Sequence, residues 1–200
     1  MHTITSRHHL PLRAIRTAAV AGAAALLLLA ACTSSADSAP TTTRGTIVPS
    51  PAVDAVTHLT VHGEAGDTIE PFEAEEYDHC TRRTAIVHRA DADVQVTVWD
   101  TGCPTQVPMN GRHGTYASLD DPAVPSDATA LTLPIGDALA FTQLYTVYTN
   151  SATEYHEPVV LIALRDPVGS QHRMAMVVGA NGEADPAEVA AVAEALSITT

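Results

Sequence analysis

Lysine is absent from the 200 residues, and all ten basic side chains are arginine. Aromatic residues make up only 4% of the chain. That leaves few of the flat platforms on which a sugar-binding module stacks its ligand. The sequence contains no Gly-x-Ser-x-Gly, no Ser-x-x-Lys and no His-Glu-x-x-His, so the local signatures of the common serine and zinc hydrolases are excluded. Cysteine occurs three times without a Cys-x-x-Cys spacing, which argues against a zinc ribbon or a dithiol redox centre. Long apolar runs are scarce as well: beyond one stretch near the start, none approaches the roughly 20 residues needed to span a bilayer.

What is present begins at that apolar stretch. Arg7, Arg13 and Arg16 precede an uninterrupted apolar segment from Ala18 to Leu29, small residues follow, and no acidic residue appears before Asp37. This is the three-part layout of an export signal, too short for a permanent span. Arg13 and Arg16 are not paired, so a twin-arginine route is not indicated. Directly after the segment stands Leu29-Ala30-Ala31-Cys32, which resembles the lipobox of bacterial lipoproteins. The resemblance implies that Cys32 receives a diacylglycerol, that the chain is cut before it, and that palmitate or a similar acyl chain completes the anchor. Two or three chains hold stably where one is marginal. With the alanine, threonine, aspartate and proline of a GC-rich coding bias, the pattern is similar to that of actinobacterial lipoproteins. The expected location is the extracytoplasmic face of the cell membrane.

Processing changes the remaining arithmetic. Residues 1–31 are expected to be removed, residues 32–52 to form a lipidated Ser/Thr/Pro-rich linker that buries too little surface to fold, and residues 53–200 to form one domain. Loss of three signal arginines leaves seven against 23 carboxylates, a balance of −16. Such a field repels phosphate backbones, so a nucleic-acid partner is not expected. With Cys32 assigned to lipid, Cys80 and Cys103 remain, and two leftover cysteines in an oxidising compartment are expected to form a disulfide.

Period-2 patterns dominate the body. Alternation predicts a strand over 55–62 ending at Gly63, a hairpin of strands at 84–88 and 94–100, and a strand at 139–147 stopped by Asn150-Ser151. The continuous apolar run 159–164 suits a sheet covered on both faces; a turn is expected at 166–169 and another strand at 174–178. Near the end Asp185, Pro186 and Glu188 spell a capping box, followed by Val189, Val192, Ala193 and Leu196 at helical spacing. The expected fold is therefore α+β, an antiparallel sheet packed by a C-terminal helix. Over residues 135–200, the layout with Phe141-Thr142-Gln143 and Tyr148-Thr149-Asn150 resembles small LpqN-like or PsbP-like envelope lipoproteins. That resemblance implies no catalytic residues.

Candidate chemistry is sparse. His58 and His62 are four apart, a ligand spacing on a helix, but on a strand they stand about 13 Å apart. Glu70, Glu73, Glu75, Glu76 and Asp78, like Asp91 and Asp93, lack the spacing and glycine of a calcium loop and read as a solvated face. Arg82-Arg83 read as local charge balance for the five carboxylates. No catalytic residue, metal or cofactor is expected. The reading that results is a membrane-anchored, non-enzymatic binding or accessory module, its partner an envelope protein or an apolar ligand. The alternative is a small envelope hydrolase whose site residues meet only in the fold.

Overall fold

The computed structural model describes residues 47–165 and 173–199. The signal segment, Cys32, most of the linker and the turn expected at 166–169 lie outside the described residues.

The chain forms strands β1 (Ala52–Val53), β2 (Leu59–Val61), β3 (Thr68–Tyr77), β4 (Cys80–His88), β5 (Asp93–Asp100), β6 (Thr129–Leu133), β7 (Gly136–Tyr148), β8 (Ala152–Leu164) and β9 (Arg173–Gly179), then helix α1 (Pro186–Ala195) and β10 (Ser197–Ile198). Seven strands make one antiparallel sheet in the order β3-β4-β5-β9-β8-β7-β6, and β1-β2-β10 make a second, small one. The fold is sheet-rich α+β with one short helix near the C-terminus.

Where the sequence has unbroken apolar runs, residues and strands agree. On β9, Ala175 and Val177 face a core completed by Val96, Val160, Ile162 and α1, whereas Met174, Met176 and Val178 face a second core with Trp99, Val159 and Leu161. Both faces of β8 and β9 are therefore covered, as their unbroken apolar runs require. Helix α1 starts as its sequence dictates. The Asp185 carboxylate accepts from the Ala187 and Glu188 amides at 2.8 and 2.9 Å, and the Glu188 carboxylate accepts from the Asp185 amide at 2.9 Å. Val189, Val192, Ala193 and Leu196 are buried against the sheet.

The strand expected over 55–62 is corrected. The Asp54 carboxylate accepts from the Thr57 amide at 2.8 Å, the His58 amide donates to the Asp54 carbonyl at 2.8 Å, and His58 takes φ 57°. This side-chain-to-backbone turn competes with extended structure and reverses the chain, so only Leu59–Val61 is strand. His58 sits in the turn. His62 lies just beyond β2, where its Nε2 is 2.9 Å from the Ser197 hydroxyl.

Besides the two-residue β1 and β10, two strands of the large sheet carried no readable signal. In β3 all but two residues are exposed, carboxylates stand on both sides, and a bulge breaks the register between Glu70 and Glu73. As an edge strand it uses charges, Pro71 and the bulge against pairing with another chain. At the opposite edge lies β6, short and mostly exposed.

The disulfide expected from cysteine arithmetic joins Cys80 to Cys103, with Cα atoms 4.8 Å apart. It ties the start of β4 to the segment leaving β5. Cross-linking at a separation of 23 residues stabilises by about 3 kcal/mol in the chain-entropy description.

His88 joins three strands. Its Nδ1 is 2.7 Å from Asp93 and its Nε2 is 3.1 Å from Glu70. Hydrogen bonds to Asp93 and then to Glu70 raise its pKa above 6.5, outweighing desolvation. The folded imidazole holds its proton more tightly than the unfolded one, so its contribution is full below about pH 6.5 and is lost as pH rises through the raised folded value. NMR titration should place the His88 ring above 6.5. The urea midpoint should fall between about pH 6 and pH 8 more in the wild type than in His88→Gln. A His88 pKa at or below the ordinary value contradicts this account.

Candidate functional site

The face of the large sheet opposite α1 is covered by the irregular segment 101–128, which must satisfy its backbone without a ladder. It does so through fixed points. The Trp99 indole donates to the Tyr116 carbonyl at 3.1 Å, Gln106 and Thr115 exchange backbone bonds at 3.0 and 3.1 Å, and the Thr115 hydroxyl donates to the Pro104 carbonyl at 2.7 Å. The Asp121 carboxylate accepts from the Thr105 hydroxyl and from the Ala117 and Ala123 amides. Burial works against its charge, but these hydrogen bonds outweigh burial and hold its pKa below the usual carboxylate value.

Within this segment Asn110-Gly111 form a two-residue reversal with φ 49° and 87°, closed by the Met109 amide donating to the Arg112 carbonyl at 2.8 Å. Asn-Gly is the strongest short-range hairpin signal, because both positions need positive φ. The turn docks on β7: the Gly111 amide donates to the Tyr145 hydroxyl at 2.6 Å, and the Tyr148 amide donates to Asn110 Oδ1 at 2.7 Å. Arg112 and His113 are thereby held over the sheet.

His113 is oriented from below. Its Nδ1 lies 2.8 Å from Glu157 Oε2, and its ring packs 4.7 Å from that of Tyr145. Glu157, with no exposed surface, also accepts from Gln143 Nε2 at 3.0 Å and from the Asn181 amide at 2.8 Å. Gln143 in turn donates to the His113 carbonyl at 3.1 Å and accepts from the Tyr116 hydroxyl at 3.0 Å. Burial, with Asp121 and Glu157 nearby, pushes the Tyr116 phenol up to about 12, so it stays protonated and donates its hydrogen bond to Gln143.

Between the hairpin and β3 lies a groove of about 250 Å³. Its walls include Glu73, Glu75, Arg112 and His113, and Arg82, Thr84, Gln95 and Thr97 lie at the sheet surface. The Thr84 and Thr97 hydroxyls are 3.0 Å apart. Glu75 places one carboxylate oxygen on Arg82 Nη2 and the other 3.2 Å from Arg112 Nη2. Arg112 also lies over the Tyr77 ring, 3.9 Å from its centroid, a cation–π contact.

The residues singled out in the sequence are distributed unevenly. Neighbours on a strand point to opposite faces. Arg82 enters the groove and pairs with Glu75 of the acidic cluster, whereas Arg83 goes to the helix side, where its Nε lies 2.9 Å from Asp54. Glu70, Glu73 and Glu75 line the groove. Among the described residues no group of three His, Cys, Asp or Glu is placed to hold a metal, and no helix is long and apolar enough to cross a membrane. Arg112, His113 and Glu157 were missed. Asn110-Gly111 could have found the first two, and a carboxylate entering the apolar run of β8 could have found the third.

Two histidines bear on hydrolysis. The His113 ring is oriented by a carboxylate, but among the described residues no Ser, Thr or Cys side chain hydrogen-bonds to it. His62 contacts the Ser197 hydroxyl at an exposed position with no carboxylate bonded to its ring among the described residues.

Removing the Glu157 carboxylate strands buried donors from His113 and Gln143 and takes the acceptor from the part-buried Asn181 amide. Glu157→Ala is expected to cost about 3 kcal/mol in urea unfolding and to speed exchange of the Thr115 and Ala117 amides. The exposed Glu154→Ala on the same strand is expected to stay within about 0.5 kcal/mol of wild type. Equal effects of the two would refute the role given to Glu157.

No family model, no curated protein and no solved structure matches this chain.

Proposed function

We propose that this chain is a lipid-anchored module on the extracytoplasmic face of a bacterial cell membrane, tethered through Cys32, whose folded domain binds a small polar ligand. The anchor rests on Leu29-Ala30-Ala31-Cys32 behind a complete export signal. The binding role rests on one observation: Arg82 and Arg112, at one end of a groove, share a single carboxylate, Glu75. An apolar ligand is less well supported. The cleft beside Phe141, Pro158 and Val189 is about 210 Å³ and the one beside Val107, Tyr116 and Leu144 about 200 Å³, too small to bury the large apolar surface from which such a ligand would draw its affinity, whereas a small ligand held by charge does not depend on that area. A hydrolytic role draws on the His113–Glu157 pair, and it is the weaker reading because no side-chain nucleophile hydrogen-bonds His113 among the described residues.

Cys32→Ala is expected to move the protein from the membrane fraction to the soluble one, and unchanged membrane retention overturns the anchor. For binding, the low-molecular-mass fraction of the cell envelope should raise the melting temperature of the wild-type protein and not that of Arg112→Gln. Ligand at ten times its Kd stabilises by about 1.4 kcal/mol, which moves Tm by about 3 to 6 °C. Absence of any shift in the wild type counts against a groove that binds a small ligand.

A further inference from the structure

We infer that the groove is a receptor for a zwitterion the length of a dipeptide, its carboxylate on Arg82 and Arg112 and its ammonium at Glu73. The inference rests on the binding role proposed above and names the ligand class.

Donor capacity is the first argument. Two guanidinium groups carry about ten N–H donors, and among the described residues their side chains make one hydrogen bond each, both to Glu75. A second carboxylate therefore finds free donors without first evicting Glu75. The Arg82 side chain is only 6% exposed, whereas that of Glu75 is 53% exposed. A buried guanidinium facing a solvated carboxylate is suited to exchanging one anionic partner for another.

Segregation of charge is the second. Both cations stand at one end of the groove, where Glu75 pairs in register with Arg82. Glu73 lies two residues along β3, opposite Thr84, and has no cationic partner among the described residues. Glu70, farther on, is already 3.1 Å from His88. A bare anion meets the field of a strongly acidic domain; a ligand with both charges does not carry that penalty.

Length is the third. Two residues of strand separate Glu73 from the Arg82 level, about 7 Å, and an extended dipeptide also spans about 7 Å. A dipeptide lying along β3 matches that separation, and the 250 Å³ of the groove leaves little room beyond two small residues. The Thr84 and Thr97 hydroxyls and the Gln95 amide, all lining the groove, offer partners for the one peptide bond.

Calorimetry on the detergent-solubilised full chain tests this with L-alanyl-L-alanine, its N-acetyl form, its C-terminal amide, L-alanine and acetate. The free dipeptide is expected to bind, and blocking either end is expected to weaken binding by at least about tenfold. Glu73→Gln should weaken the free dipeptide and erase discrimination against the N-acetyl form. Arg112→Gln should do the same for the amide, with Arg112→Lys retaining part of the affinity. Melting curves of the variants confirm that they fold. No heat with the free dipeptide overturns the inference, as does equal binding of the blocked forms or of acetate. If the envelope fraction still shifts Tm in an Arg112-dependent way, a binding groove with a different ligand remains; if it does not, both readings fall together.

Discussion

The buried carboxylate of Glu157 is the constraint on which the second face of this sheet depends. It sits in β8 immediately before a run of apolar residues, with no solvent contact. An unpaired carboxylate there would cost several kcal/mol. Its donors come from three separate places: His113 in the irregular segment, Gln143 on β7 and the backbone of Asn181 after β9. Docking segment 101–128 onto the sheet and satisfying Glu157 are thus one event. The same contact that settles the buried charge also fixes the orientation of the His113 ring.

The two faces of the large sheet are closed by different means. On one side, branched aliphatic residues meet α1 and the small sheet, and apolar burial at about 25 cal/mol per Å² suffices. On the other side the cover has little regular structure, so it is held by discrete bonds: the Cys80–Cys103 disulfide, the Trp99 indole, Asp121 and the Glu157 network. An irregular cover does not extend across the whole face. Where it stops, the sheet surface changes to Thr84, Thr97 and Gln95, and the groove lies over them.

Legibility in the sequence followed the cleanness of local signals. The strands around Val159 and Met176 and the capping box at Asp185 were readable because burial on both faces and helix capping leave marks within a few residues. Strand β3 was not, because a two-sided exposed edge with a bulge loses the period-2 pattern, and its glutamates read as a solvated face. At Asp54–His58 a local turn defeated a pattern that alternation alone favoured. For the site, Arg82 and Arg83 were visible as a pair but not as residues of opposite faces, since the strand expected from 84 in fact begins at Cys80 and includes them. The Glu75–Arg112 contact joins residues 37 apart; nothing within either segment signals it.

The charge arrangement bears on how tightly such a groove binds. Arg82 is too buried to rely on water, so it must always have an anionic partner, and in the free protein Glu75 supplies it. A ligand carboxylate arriving there gains only the difference between a site with one carboxylate and a site with two, or between one partner and its replacement. Exposed or exchangeable ion pairs contribute little on that basis. On the reading proposed above, affinity at the arginine end is therefore modest, and a ligand needs the far end of the groove as well, where Glu73 has no cationic partner among the described residues. Under that reading the two ends hold a ligand only together.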